Sequence, residues 1–333
     1  LKRATMNDVA QLANVSKSTV SQYLNRRYDY MGEKTKKRIE EAINELGYQS
    51  NYLARSLKQK RTFTIGVIVA NILHSFSTRV IRAIEDECNE QDIHVIVCNA
   101  DDDPIKEKKY IDMLRAKQVD GLIVFPTDGN VDLYKKMVDE EFPLVFIDRK
   151  VEDLQVDTFL LDNENASKMA VDYFIKSGHS RIGMITSSLI HNVTPRVERI
   201  EGYKKALKAH GIQPVKEYIK GLEVHEIKKG LEEIFSLEDP PTALFTGNDL
   251  TLMEVLNFTK ENNMKIPDDF ALISIDDVSF ANIYDPTLTT VAQPAFSIGK
   301  EASKFLLQRI NKDINTDPKI HRFKAELIVR TSC

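Results

Sequence analysis

The stretch Met6-Asn7-Asp8-Val9-Ala10-Gln11-Leu12-Ala13-Asn14-Val15-Ser16-Lys17-Ser18-Thr19-Val20-Ser21-Gln22-Tyr23-Leu24-Asn25 holds two short helical patterns with a break between them. Thr5 just before it and Asp8 within it form a candidate capping box, next to apolar Val9, Ala10, Leu12 and Ala13. Asn14-Val15-Ser16 interrupts this run, and a second pattern starts at Lys17, with Val20 and Leu24 four residues apart and polar residues opposite. Two short helices across a tight turn read as helix-turn-helix. A third helix is expected from Glu33 to Leu46, with Ile39, Ala42, Ile43 and Leu46 inward, Gly32 at its start and Gly47 closing its end.

Charge separates this head from the rest of the chain. Residues 1–61 hold 13 Lys/Arg against 6 Asp/Glu, a net of +7, while the remainder holds 33 against 44, a net of −11. The overall −4 of the 333-residue chain therefore conceals a basic head on an acidic body, an arrangement that suits contact between the head and a polyanion. Apolar runs such as Ile65 to Ala70 last a handful of residues, far short of the roughly 20 that span a bilayer. No membrane partner is expected, and the absence of an apolar leader in Leu1 to Thr5 makes the cytoplasm the expected compartment. Cys88, Cys98 and Cys333 form no CxxC pair and read as free thiols. The seven histidines are scattered without metal-ligand spacing, and neither GxGxxG nor a P-loop occurs, so no metal and no cofactor is expected.

From Phe63 onward, short β-rich runs alternate with helical patterns. Strands are expected at Thr64–Asn71, Ile93–Asn99, Gly121–Phe125, Leu144–Asp148, Thr158–Leu161, Arg181–Ser187, Ala243–Thr246, Phe270–Ile275 and finally Ala325–Arg330. Helices are expected between them, which is the signature of parallel sheets with crossover helices. Thr246-Gly247-Asn248-Asp249 and Ser274-Ile275-Asp276-Asp277 each come at the end of a predicted strand, where ligand-binding polar groups collect in such folds.

The run from Met6 to Asn25, together with Leu46-Gly47-Tyr48 and Asn51-Tyr52-Leu53-Ala54-Arg55-Ser56-Leu57, closely resembles the lactose/galactose repressor (LacI/GalR) family of bacterial transcription factors. The likeness continues, more loosely, to Arg330. It implies a small all-α helix-turn-helix head over residues 1–49, a hinge helix and linker over 50–62, and a periplasmic-binding-protein-like core over 63–333. That α/β core would be two doubly wound parallel-sheet subdomains, one of about 63–161 with 292–321 and the other of about 162–291 with 322–333.

On the DNA side the resemblance assigns Lys17, Ser18 and Gln22 to base edges, Lys17 as a donor to guanine and Gln22 as a bidentate partner of adenine. Thr5, Ser16, Thr19, Ser21 and Asn25 read as caps and phosphate donors that set register. Tyr48, Asn51, Ala54 and Arg55 belong to the matching hinge motifs, and Leu57 matches a leucine that wedges into the minor groove. A wedge of this kind needs two hinges at a dyad, so a homodimer on double-stranded operator DNA is implied. The chain ends soon after its last expected strand without an apolar heptad tail, which favours a dimer over a tetramer.

On the ligand side the resemblance places His74, Phe76, Thr127, Asp148, Arg149, Arg199, Asn248 and Asp276 around a cleft, although the usual Asn-Pro-Phe-Phe wording is absent before Phe76. Asp148, Asp249 and Asp277 read equally as helix caps or strand-end ion pairs. Arg196 lies one turn before Arg199 and reads equally as a surface residue; with both turned inward, the added positive charge would favour an acidic sugar. The expected function is thus a carbohydrate-responsive repressor whose effector is a sugar or sugar acid, and the resemblance leaves room for a protein corepressor. Two rivals share the core. A sugar-binding protein would have no use for the basic head, and a sugar-processing enzyme would need a positioned nucleophile and base that the sequence does not offer.

Overall fold

The computed structural model describes residues 4–24, 27–48, 61–190, 192–313 and 316–333. It divides into two compact units, Leu1–Thr62 and Phe63–Cys333.

The first unit is three helices, α1 (Met6–Leu12), α2 (Lys17–Leu24) and α3 (Glu33–Leu46). Thr5 and Asp8 close a reciprocal capping box: the Asp8 carboxylate accepts from Thr5 N at 2.7 Å, and Thr5 Oγ1 accepts from Asp8 N at 3.3 Å. Ser16 does the same duty for α2, accepting from Thr19 N at 3.1 Å. Gly32 caps α3 without a side-chain bond, and Gly47 ends it at φ +56°, a left-handed position that glycine adopts without a Cβ penalty. Val9, Ala10, Ala13, Val20, Ile39, Ala42 and Tyr48 form its small core.

The second unit contains two six-stranded sheets. In chain order its elements begin β1 (Thr64–Val69), α4 (Ser75–Asn89), β2 (His94–Asn99), α5 (Pro104–Ala116), β3 (Gly121–Val124), α6 (Val131–Asp139), β4 (Leu144–Ile147) and β5 (Asp157–Leu161). Next come α7 (Asn163–Lys176), β6 (Ile182–Ser187), α8 (Thr194–Ala209), β7 (Ile219–Leu222), α9 (Ile227–Phe235), β8 (Ala243–Thr246), α10 (Asp249–Glu261), β9 (Ala271–Ile275) and β10 (Thr289–Ala292). The chain finishes with α11 (Ala295–Asn311), β11 (Ile320–Phe323) and β12 (Glu326–Ile328).

The first sheet runs β11-β5-β4-β3-β1-β2, all parallel; the second runs β12-β10-β9-β8-β6-β7. Both faces of each sheet are covered, so the central strands are apolar throughout, as in Gly121-Leu122-Ile123-Val124 and Leu144-Val145-Phe146-Ile147, every residue of which is buried. Alternation still sorts the side chains. Ile65, Val67, Ile123 and Val145 meet α4 and α11 on one face, while Ile68, Leu122, Val124 and Phe146 meet α5 and α6 on the other.

The two lobes exchange chain three times, between β5 and α7, between β10 and α11, and between β11 and β12. At these crossings Glu198 of α8 accepts from Arg322 Nη1 and Nη2 at 2.8 and 2.6 Å and from Asn163 Nδ2 at 2.9 Å. The final strand departs from expectation: it is shorter than Ala325–Arg330 and runs antiparallel to β10, so the second sheet is mixed rather than purely parallel. β11 runs parallel to β5 toward the carboxyl ends of the first sheet, and only two residues later β12 leads from there into the second lobe, opposite in direction to β10.

Helices α7 and α8 pack unusually closely at Gly202, where an added Cβ would lie 2.6 Å from both the Cα and the carbonyl oxygen of Glu164. Backbone cannot yield as a flexible side chain can. Gly202→Ala is expected to destabilise the protein by roughly 1–3 kcal/mol, the ordinary cost of overpacking. Urea denaturation checks this, and an unchanged midpoint would show that the two helices can separate freely.

Candidate effector cleft and DNA-reading helix

The carboxyl ends of both sheets supply the loops through which the lobes meet. Asp249, the first residue of α10, reaches the start of α4: its Oδ1 lies 2.6 Å from His74 Nδ1, and its Oδ2 accepts from Ser75 N at 2.6 Å. Burial works against its charge, but the bonds and charge of His74 and the Ser75 amide prevail and hold the carboxyl below its usual range. Asp102, after β2, lies 2.6 Å from Arg149 Nη2 and 3.5 Å from Arg196 Nη2, so a single carboxylate joins a guanidinium of each lobe. The Lys150 amide adds a bond to Thr194 Oγ1 at 3.1 Å.

Deeper in the second lobe, Arg199 is almost fully buried. Its Nε donates to Asn163 Oδ1 at 2.9 Å and its Nη1 to the Gly247 carbonyl at 2.6 Å. Because Asn163 also donates to Glu198, Arg199 is linked by hydrogen bonds to the chain crossings. Asn248 N-caps α10 through Thr251 N at 2.9 Å and donates Nδ2 to Ser187 Oγ at 2.8 Å. Asp276 sits at φ +79° after β9 and accepts from Gln293 Nε2 at 2.7 Å. Burial, reinforced by the nearby charge of Asp249, pushes its carboxyl up to about 6. The other amide atom of Gln293, Oε1, is buried with no hydrogen-bond partner.

In the first lobe, the buried Glu107 carboxylate accepts from Thr127 N at 2.6 Å, Asn130 Nδ2 at 2.7 Å and the Tyr134 hydroxyl at 2.7 Å, which fixes the loop carrying Thr127. Asp148, at φ +68°, lies 3.8 Å from Arg149 Nε.

In the head, α2 turns Val20 into the core. At 100° per residue, Ser18 and Gln22 fall about 160° from Val20 on the opposite side, Lys17 lies in the first turn about 60° from Val20, and all three are exposed. Ser16, just before α2, is exposed, and Thr19 and Ser21 are half-buried. Amide donors and long polar side chains at the start of a helix open to solvent suit the major groove.

Comparison with known proteins agrees with this geometry. A family profile described as "Bacterial regulatory proteins, lacI family" matches residues 5–51, and one described as "Periplasmic binding protein-like domain" matches residues 171–333. The chain is 51% identical over 309 residues to the probable HTH-type transcriptional regulator EndR of Paenibacillus polymyxa, covering 92% of this chain and 91% of that protein. It is 33% identical over 332 residues to the HTH-type transcriptional repressor PurR of Aliivibrio salmonicida, covering 99% and 98%. The chain belongs to the lacI family.

Among solved structures, the lac repressor dimer bound to operator and the anti-inducer ONPF superimposes with a TM-score of 0.83 at 23% identity over 99% of each chain, a likeness of fold. The chain is therefore a DNA-binding transcriptional regulator rather than an enzyme.

Within this lacI-family regulator the structure does not treat all the expected residues alike. Arg149, Arg196, Arg199, Asn248 and Asp276 stand around the lobe junction, and Arg196 is largely buried rather than a surface residue. His74 joins them as a bridge to Asp249. Phe76 differs: its ring packs in the first lobe's core, edge-on to Phe125 at 6.3 Å between centroids, because apolar neighbours claim it. Tyr48 likewise belongs to the head's core and is not displayed for DNA. Asn25, Asn51, Ala54, Arg55 and Leu57 lie outside the described residues. Asn163 and Gln293, at chain crossings between the subdomains, and Asp102 join the junction though the resemblance assigns none of them to the cleft; Asp102 comes after a strand end just as Asp148 and Asp276 do.

Asp276 makes the junction sensitive to pH. Its carboxyl is raised, so between about pH 4 and 6 the folded protein holds a proton the unfolded chain releases, and stability falls as pH rises through that window. Asp276→Asn should remove that component, raising the melting temperature more at pH 7 than at pH 4. Equal shifts at both pH values would contradict the assignment.

Proposed function

We propose that this regulator is a homodimer that represses carbohydrate catabolism genes from a pseudo-palindromic operator and is released by a sugar or sugar-acid effector held between its lobes. The observation that carries the reading is the lobe junction itself. It brings Arg199, Asn248, Asp276 and Gln293, all buried, to the carboxyl ends of the second sheet, with Thr127, Asp148 and Arg149 at those of the first. Guanidinium, carboxylate and amide groups on these strand ends are the equipment for a polyhydroxylated molecule.

Names among the relatives support a carbohydrate. The transcriptional regulator CelR was solved in complex with cellobiose and shares this fold at a TM-score of 0.72 and 24% identity.

In this scheme Lys17, Ser18 and Gln22 read bases, and Thr5, Ser16, Thr19, Ser21 and Asn25 hold phosphates. Asn51, Ala54, Arg55 and Leu57 form the hinge that meets its dimer mate over the minor groove. Head, hinge and core are assigned to residues 1–49, 50–62 and 63–333, with the effector's closing of the cleft changing the spacing of the two hinges. Linkage then requires operator and effector to alter each other's affinity by one common factor.

Gln22→Ala should weaken specific operator binding by about 1–3 kcal/mol and relax base preference at one position in each half-site, read by fluorescence anisotropy. Arg199→Ala should abolish the thermal shift produced by the effector while leaving operator binding in place. A Gln22→Ala protein with unchanged specificity would refute the assigned reading helix, and an undiminished thermal shift in Arg199→Ala would move the effector elsewhere.

A further inference from the structure

The junction between the lobes places two guanidinium groups on one carboxylate. Arg149 comes from the loop after β4 and Arg196 from the first turn of α8, and both are largely buried, with side-chain exposures of 9% and 15%. Arg149 is held by the Pro126 carbonyl at 3.4 Å and Arg196 by the Ser188 carbonyl at 2.8 Å, so each has a fixed seat. The charged groups facing them are Asp102, which both share, Asp148 at 3.8 Å from Arg149 Nε, and the more distant Glu223 and His74. Arg149 Nε is buried and has no hydrogen-bond acceptor. With Asp102 withdrawn, two buried cations would face the single nearby carboxylate of Asp148, an arrangement too costly to leave uncompensated.

Asp102 is also the member of this trio best able to leave. Its side chain is 33% exposed, more than either arginine. It sits in a short turn with Asp101, both at positive φ, +52° for Asp101 and +56° for Asp102, a sparsely populated conformation for residues other than glycine. The backbone of Asp102 is tethered through its N–H, which donates to the Ala70 carbonyl at 2.7 Å.

We propose that Arg149 and Arg196 are a carboxylate-binding subsite of the effector cleft, that Asp102 is the internal carboxylate occupying it in the absence of effector, and that the effector is accordingly a sugar acid of the hexuronate or aldonate kind. The inference rests on the reading that a carbohydrate binds between the lobes, and it names which class. A planar guanidinium matches a carboxylate with two parallel hydrogen bonds, which a neutral hydroxyl cannot do. The acid would bring its own carboxylate to the pair and release Asp102 to solvent, keeping the charge balance unchanged. A neutral sugar would have to bind with Asp102 still in place, taking the carboxylate as a hydroxyl acceptor.

The test uses the full chain and calorimetric titration with galacturonate, glucuronate and gluconate beside galactose and glucose. One or more of the acids should bind, and the neutral sugars should bind far more weakly. Arg196→Gln should weaken the acid by roughly tenfold or more, the loss expected when a charged hydrogen bond is removed. Asp102→Asn should strengthen it several-fold, because the competitor is gone while the fold of the turn is kept. That opposite sign is the readout a merely structural role for Asp102 would not produce.

Neutral sugars binding as tightly as the acids, or Arg196→Gln leaving acid affinity unchanged, would overturn the subsite while leaving the carbohydrate reading intact. Asp102→Asn weakening the acid would overturn the exchange of carboxylates. No binding by any of the five compounds, with the protein folded by its melting transition, would overturn both the subsite and the carbohydrate reading on which it rests.

Discussion

Asp102 carries the charge that two arginines from opposite lobes both need, and the rest of the junction is arranged around that shared ion pair. Burial alone would drive its carboxyl toward the neutral form, but the positive charge of Arg149 and then Arg196 outweighs it and keeps it ionised. Arg196 in turn has its pKa lowered, by burial first and by repulsion from Arg149 second. Each group is tolerable in this water-poor place only because the others are there. A ligand entering the junction therefore meets a network in which withdrawing one charge leaves the others uncompensated unless the ligand replaces it.

A run of hydrogen bonds connects the cleft to the chain crossings. Arg199 donates to Asn163 at the first crossing, Asn163 donates to Glu198, and Glu198 holds Arg322 on β11 beside the third crossing. Glu198 and Arg199 are neighbours on α8, so one helix turn serves both the ligand side and the crossing side. Arg199 is thus joined by hydrogen bonds to the side chains that hold the crossings.

Much of this was legible in the sequence. The capping box of Thr5 and Asp8, the spacing of Val20 and Leu24 and the closing Gly47 each have a local cause and a local consequence, and the three helices of the head result from them. The strand and helix alternation of the core is equally local. What periodicity does not disclose is where a side chain points once the chain leaves a strand. Phe76 is aromatic and near a strand end, yet the apolar space beneath it claims the ring. Asn248 obeys the same rule of position and spends its oxygen on capping α10. Asp102 is not legible in the same way, because its importance lies in two arginines 47 and 94 residues away, a relation only the fold creates.

Effector binding and operator binding are, on this mechanism, two ends of one equilibrium. The direct measurement is the dissociation constant of the full-length protein for a pseudo-palindromic operator selected from random DNA, taken by anisotropy with and without the saturating sugar acid identified by calorimetry. The paired measurement is the acid's own affinity with and without that operator. The acid is expected to change operator affinity, and operator to change acid affinity by the same factor. An operator affinity untouched by an acid that demonstrably binds the cleft would contradict the mechanism.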